Sequence, residues 1–340
     1  MDQPARQLGI FPASGALASS TLSHLSPALV PPRNLTLVCR HPSKVPQPYV
    51  QGGATVREAS YESSPEELQA AFAGVHALFL VSYPSHVHDL RTRLHRRAVD
   101  AAARAGVRHI FYSSLAFAGT AASVSSRAVV MQAHLDTERH LAELAASSPT
   151  SDSGEDHRRD GSLTFTSIRE GLYSESFPIY TAFAIKPGSG SPPPDEILIP
   201  HDGSAPGVAW AKRDELGEAS ARVIARYLAE PEAYPAEWVN GTLLLTGPRV
   251  WTLRETVAAL SEAITGDRDK VRIRQVSAEE YAEQEQVKAR FGSAETAVSW
   301  ATAWEGIRAG ETAVITETLE QLLGRPPEAF DITIKKMFAH

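Results

Sequence analysis

The first half of the chain alternates short apolar runs with helical patterns, and this alternation limits the fold more than any other feature. Residues 7–11 form a short apolar strand, and Ala18, Leu22 and Leu25 follow at i, i+4 and i+7, one face of a helix. "NLTLVC" (34–39) predicts another strand. "SPEE" (64–67) is a capping box with proline at the first helical position, and Gly74 ends the helix it starts. "HALFLVSY" (76–83) is almost continuously apolar, as a strand buried on both faces is. Asp89 opens a helix with Leu90, Leu94, Ala98 and Ala101 inward; Gly106 closes it and "VRHIFYSS" (107–114) returns to strand. Repeated β-α-β units of this length predict an α/β fold, a Rossmann-type doubly wound parallel sheet.

A helix over 128–146 puts Val130, His134, Thr137, Leu141 and Leu144 on one face. The polar run 147–162 predicts a mobile surface loop, "LTFTSIR" (163–169) resumes the sheet, and 186–196 is a second loop rich in glycine and proline. Later segments are more helical. Asp214, Thr252 with Glu255, and Ser277 with Glu280 mark helix starts, "LLLTG" (243–247) is a short strand, and Gly324 stops a helix before Pro326–Pro327.

Composition narrows the function classes. A net charge of −7 over 340 residues, with no long basic run, argues against nucleic-acid binding, which needs a cationic surface. The single cysteine, Cys39, permits no internal disulfide and sits in an apolar strand. No stretch approaches the length of a membrane span, and the N-terminus lacks the apolar core of a signal peptide. A cytoplasmic protein with no membrane partner is expected.

"LGIFPASGALASS" (8–20) occupies the strand–turn–helix position where a pyrophosphate is held by turn amides and a helix N-terminus. Gly15 supplies the freedom of backbone such a turn needs, and Ala18 permits close helix–strand packing. Pro12 replaces a customary glycine; its φ near −65° suits a shallower turn. Ser14 adds a hydroxyl for phosphate, and the amides of Ala16 and Leu17 complete the loop. After the second strand come Arg40 and Lys44, with no acidic residue between. Cations at this place suit the 2′-phosphate of NADPH, whereas an acid would suit the ribose diol of NADH.

"GIFPASGALASSTLSHL", "LVCRHPSKV", "GVRHIFYSSLAFAG", "AHLDTERHL", "TFTSIREGLYSESFPIYTAF" and "LLGRPPEAF", in this order and across nearly the whole chain, resemble NmrA-like proteins of the atypical short-chain dehydrogenase/reductase superfamily, the fungal NmrA-like oxidoreductases above all. The resemblance implies a dinucleotide-binding domain over 1–168 and a smaller, mainly helical substrate lobe over 169–340, with 203–250 partly returning to the sheet. It implies a cleft between the two. The family includes NADPH-dependent quinone and triphenylmethane reductases, and a transcriptional corepressor that binds dinucleotides without known turnover.

Typical members of the superfamily use a serine after the fifth strand and a Tyr-x-x-x-Lys pair on the next helix. Here Val130 falls in the tyrosine slot and His134 in the lysine slot, and Ser113–Ser114 fall one position early, leaving Leu115 in the serine's place. Without a paired proton donor, hydride transfer favours an acceptor that is already electron-poor, or recruits a new donor. His134, Tyr173 and Glu170 are the candidate catalytic groups. His134 titrates near neutral pH if unperturbed, but hydrogen bonding to the ribose or to a strand carbonyl is the plainer role. Val81, Ser82, Tyr83, Ser113, Ser114, Glu170 and Gly171, at the ends of the fourth to sixth strands, and His134 are expected to touch cofactor. His86, Leu115, Phe117, Tyr173 and Glu175 are expected to touch substrate. His134 and Glu138, one helical turn apart, lack a third ligand at metal-site spacing, so no metal is expected. The leading expectation is an NADPH-dependent reductase of a small conjugated organic molecule. A cofactor-sensing regulator with a protein partner, and a non-redox isomerase or cyclase, are the alternatives.

Overall fold

The computed structural model describes residues 6–147, 162–183, 185, 188 and 192–339. Seven strands form one parallel sheet: β1 (Leu8–Phe11), β2 (Leu35–Cys39), β3 (Thr55–Glu58), β4 (Ala77–Val81), β5 (His109–Leu115), β6 (Thr164–Glu170) and β8 (Gly241–Leu245). Their order is β3-β2-β1-β4-β5-β6-β8. β7 (Glu196–Ile199) and β9 (Arg272–Gln275) pair in a separate two-stranded parallel sheet.

Helices cover both faces of the large sheet, so its central strands lose any polar–apolar alternation. β1, β2, β5 and β6 are buried or nearly so along their whole length, and β4 is buried from Ala77 to Leu80. One face packs on helices Ala16–Leu25 and Arg213–Ala229 through Ile10, Leu37, Phe79, Leu216 and Ile224. The other packs on Pro65–Ala71 and His88–Arg104 through Phe11, Leu80, Tyr112, Phe72 and Leu94. A third cluster, built on Trp210, Trp251, Trp300, Trp304 and Phe330, is the core of the C-terminal helical region. Residues 213–245 return to the sheet from within that half, as helix Arg213–Ala229 and strand β8.

Local signals hold where they were strongest. Ser64 accepts from the Glu67 amide with Pro65 at the first helical position, and Thr252–Glu255 and Ser277–Glu280 are reciprocal capping boxes. Gly324 is left-handed after helix Thr318–Leu323. Asp214 differs: the helix begins at Arg213 with Lys212 as N-cap, and Asp214 lies in the first turn, where its charge favours the helix dipole. Leu90, Val130 and Leu144 are only half-buried; Arg91 and Met131 take the inward places beside the first two. The expected loop at 147–162 lies outside the described residues from 148 to 161, and most of 186–191 lies outside them as well.

Helix Ala16–Leu25 carries the glycine loop at its N-terminus, and its placement depends on Gly217. A Cβ on Gly217 would lie 2.2 Å from Ser20 Oγ and 2.9 Å from the Thr21 amide nitrogen. Gly217→Ala is therefore expected to cost about 1–3 kcal/mol by forcing the two helices apart. The measurement is the urea midpoint, which should fall, accompanied by weaker dinucleotide binding as the loop is displaced.

Candidate functional site: a dinucleotide cleft at the sheet's carboxyl edge

The strand order reverses between β1 and β4, so the loops after them diverge and leave a crevice over the carboxyl ends of the strands. There the structure brings together most of the residues expected to hold cofactor. Pro12, Ser14, Gly15, Ala16 and Leu17 form one wall, and Arg40, Val81, Ser82 and Tyr83 stand in the others. The cleft encloses about 340 Å³. Gly15 has φ 114°, a left-handed conformation that a side chain would strain, and it directly precedes the helix. The Phe11–Pro12 peptide is cis. The Ala13 amide donates to the Val38 carbonyl at 2.8 Å, pinning the loop to β2. The first-turn amides of the following helix have no intrahelical acceptor and point their positive end into the cleft.

Lys44 separates from Arg40. It lines an adjoining hollow of about 130 Å³ with Ser14, Cys39 and His41. Arg40 has an acidic neighbour that its own segment does not contain. Glu62, beyond β3, accepts from Arg40 Nη2 at 3.1 Å and from the Tyr83 hydroxyl at 2.7 Å. Glu62 thus ties the rim after β2 to the rim after β4. The Tyr83 bond, first, and the Arg40 charge hold its carboxyl below the usual range. Tyr61 forms the floor, its ring 5.3 Å from that of Tyr83 and its hydroxyl donating to the Val81 carbonyl at 2.7 Å.

Behind β4 lies a buried polar chain. His134 takes Arg91 Nη2 on Nε2 at 2.8 Å and meets the Tyr112 hydroxyl through Nδ1 at 3.0 Å. Burial, and then the charge of Arg91, hold its pKa well below the ordinary histidine range. The expected neutral-pH titration of His134 is therefore corrected: the imidazole stays neutral because it is dry and faces a cation. His95 is likewise lowered to about 3, with burial as the chief cause. Burial raises the Tyr112 hydroxyl well above the usual tyrosine value. His134 thus meets its nearest cation, Arg91, from the neighbouring helix.

The sixth-strand candidates divide between the faces of the sheet. Arg169 is buried against Glu138 at 2.6 Å, and Ser114 donates to the same carboxylate at 2.6 Å. Glu138 and His134 spend their polar atoms on these partners rather than facing one another as a chelating pair. Glu170 points to the opposite face, where Ser220 donates to its Oε1 at 2.9 Å and its Oε2 has no partner among the described residues. Burial pushes its carboxyl up to about 8. It is closed off beneath helix Arg213–Ala229 and does not line the cleft. Gly171 answers a packing need: a Cβ there would lie 2.8 Å from the Leu245 carbonyl oxygen and 2.9 Å from the Ala211 Cβ. Tyr173 bridges to Ala211, its hydroxyl held well above the usual range by burial and by Glu170. Glu175 accepts from the Arg213 amide at 3.1 Å. Ser113 is buried near the end of β5, which Leu115 closes half-buried.

The expected substrate residues Phe117 and His86 lie in the aromatic region toward the C-terminal half. Phe117 is fully buried 6.1 Å from the ring of Tyr180, and His86 sits between Phe291 and Trp300, each ring 5.1 Å away. Sequence reasoning missed Arg91, Glu62, Tyr61, His95, Tyr112 and Tyr180. Only Arg91 left a signal, as an arginine on the inward stripe of its helix, one turn before Leu94 and His95.

A glycine turn, a helix N-terminus and a crevice at the reversal of a parallel sheet define a Rossmann-type dinucleotide-binding protein. Residues 13–178 match the NAD(P)H-binding family model. An NmrA-like family domain-containing oxidoreductase of Aspergillus flavus is 31% identical over 81% of this chain and 77% of its own length. The crystal structure of NADPH-dependent quinone oxidoreductase QOR2 from Escherichia coli, complexed with NADPH, superposes with a TM-score of 0.73 at 25% identity, covering 98% of this chain and 100% of that one. The Citrobacter sp. triphenylmethane reductase complexed with NADP(H) gives 0.69 at 26% identity over 97% and 99%. The chain belongs to the NmrA-like family. Among the described residues, no helix is long and apolar enough to cross a membrane.

Glu170 makes stability pH-dependent in a direction unusual for a carboxylate. The folded state holds this proton up to about pH 8, while the unfolded chain releases it near the ordinary value of 4.5. Stability therefore falls as pH rises through that window. Glu170→Gln should raise the melting temperature more at pH 8 than at pH 5, a gain reaching a few kcal/mol at about the upper end. Thermal unfolding at the two pH values measures it.

Proposed function

We propose that the protein is an NADPH-dependent reductase that passes a hydride to a small, conjugated, electron-poor acceptor of the quinone, imine or enone type. The cleft carries this reading: Gly15 and the helix behind it offer amides to a diphosphate, and Arg40 stands at the rim where the adenosine ribose of such a cofactor lies. The relatives whose names record NADPH and quinone or dye reduction support it. Residues 169–340 supply the substrate side, apart from the returning segment.

The character of the acceptor follows from what surrounds the proposed nicotinamide end. His134 is neutral and has both nitrogens engaged, and Tyr112, Tyr173 and Tyr180 are all raised by burial. None is tuned to give up a proton near neutral pH. An isolated ketone needs such a donor at its forming alkoxide. A quinone does not: a bound NADPH would supply hydride, two electrons with one hydrogen, and the resulting hydroquinone anion would need only one proton, which water can give.

One observation favours a cofactor-sensing protein without turnover. Phe117, Tyr180, Phe291 and Trp300 are each at least nine-tenths buried, and His86 is wedged among the last two, so the region expected to take substrate is packed by its own side chains. Tight NADPH binding with no oxidation across quinones, imines and enones would establish that reading and overturn the reductase.

Steady loss of NADPH absorbance with a quinone is the expected result for the wild type. Arg40→Glu should weaken NADPH by about tenfold or more while changing NADH by less than about threefold, since only NADPH presents a phosphate to the guanidinium. Equal loss of both would count against the cofactor assignment. Glu62→Gln should act oppositely, tightening NADPH about two- to fivefold over NADH by freeing an exposed arginine from its carboxylate. Calorimetric titration of both nucleotides reads each outcome.

A further inference from the structure

Arg91 is 6% exposed, yet among the described residues it has no carboxylate within ion-pairing distance. Its Nη2 donates to Ser82 Oγ at 2.7 Å and to His134 Nε2 at 2.8 Å, and its Nη1 to the Val130 carbonyl at 3.2 Å. Its Nε has no hydrogen-bond partner among the described residues. A buried cation without a counter-ion is costly, and such a group is retained where its charge acts on something.

The directions of the hydrogen bonds around it are forced. A guanidinium only donates. His134 Nε2 therefore accepts, and its Nδ1 carries the hydrogen and donates to the Tyr112 hydroxyl. His95 obeys the same logic. The Tyr83 amide donates to His95 Nε2 at 2.9 Å, so Nδ1 donates to Thr137 Oγ1 at 2.9 Å, and Thr137 donates to the Ala133 carbonyl at 2.6 Å. Ser82 Oγ accepts from Arg91, and its own hydrogen has the cleft on one side and the Tyr112 hydroxyl, which already receives from His134 Nδ1, on the other. The nearby His95 Nε2 is 3.4 Å away, and its lone pair already serves the Tyr83 amide. Ser82 lines the cleft, at the end of β4 and across the strand reversal from Gly15.

We propose that Arg91 is a positioning residue for the bound dinucleotide: it holds the Ser82 hydroxyl as a one-way donor aimed into the cleft, onto an oxygen of the cofactor's ribose or diphosphate. This rests on the dinucleotide reading above. The guanidinium polarises the serine from behind, so the hydroxyl donates more strongly than an isolated one. Among the described residues no carboxylate pairs with the guanidinium, so the anionic ligand receives its charge through the serine. Arg91 touches neither cofactor nor substrate; Ser82 makes the contact.

The test is a double-mutant cycle read by calorimetric titration with NADPH, with melting temperatures measured alongside. Ser82→Ala and Arg91→Met should each weaken binding about five- to twentyfold, and the double variant should match the weaker single within about twofold. Arg91→Lys should recover most of the loss, which a purely structural filler would not do. Methionine has similar length and fills a buried arginine site well; if that variant fails to fold, Arg91→Gln, which keeps a donor and removes the charge, takes its place in the cycle. Losses that multiply in the double variant, or Arg91→Met binding NADPH as the wild type does, would overturn the role of Arg91 alone. A folded wild type that binds no nicotinamide nucleotide would overturn it together with the proposed function.

Discussion

The reversal of strand order between β1 and β4 is the constraint on which the site depends. Neighbouring parallel strands whose connections leave in opposite directions cannot close over their own carboxyl edge. The gap is a consequence of chain topology, and it exists whether or not a ligand fills it. Everything that distinguishes this protein is arranged around that gap. Gly15 turns the chain tightly enough for a helix to begin at its lip, and Gly217 lets a second helix press the first against the sheet. Arg40, Glu62 and Tyr83 stand around the opening because three successive strands end there.

Two layers of electrostatics follow. At the rim, charges are exposed and paired with one another. Beneath, they are dry and ordered. Arg91, His134, Tyr112, His95 and Thr137 form a buried hydrogen-bonded chain, and burial holds both histidines below the ordinary imidazole range. A site built in this way can orient a ligand and shape the field around it. It is poorly suited to handing over a proton, which is why the acceptor in the proposed reaction is one that hardly needs it.

Most of the architecture was legible because its signals are local. Continuous apolar runs betrayed the doubly covered strands, and capping boxes at Ser64, Thr252 and Ser277 marked helix starts to the residue. What escaped was exposed or non-local. β3 ("TVRE") and β9 ("RIRQ") are sheet-edge strands with no fully buried residue, so neither shows an apolar run. The glycine loop and Arg40 were readable from the order of strand, turn and helix. Glu62 was not, since it lies beyond the next strand and reaches Arg40 only through the fold. Glu170 and Gly171 were placed near the ligand by resemblance, but the twofold alternation of β6 sends Arg169 and Glu170 to opposite faces, and Gly171 serves the close approach of Ala211 and Leu245. His134 was given a near-neutral titration only if unperturbed, and what lowers it, burial and then Arg91 on another helix, is non-local.

The Glu62 bridge has a consequence for how the empty protein meets its surroundings. An open arginine at a phosphate pocket attracts any small oxyanion, and its grip fades steeply as salt rises. Here the guanidinium already holds a carboxylate, so a newcomer must outcompete a tethered rival. Monovalent and loosely held anions gain nothing by the exchange; a doubly charged group delivered on a ligand anchored elsewhere does. Because one ion pair replaces another, dissolved electrolyte weakens both sides of the equilibrium together. On the proposed role of Arg40, discrimination at this rim then persists in the crowded ionic medium of a living cell, where an unguarded cation would be saturated by bystanders.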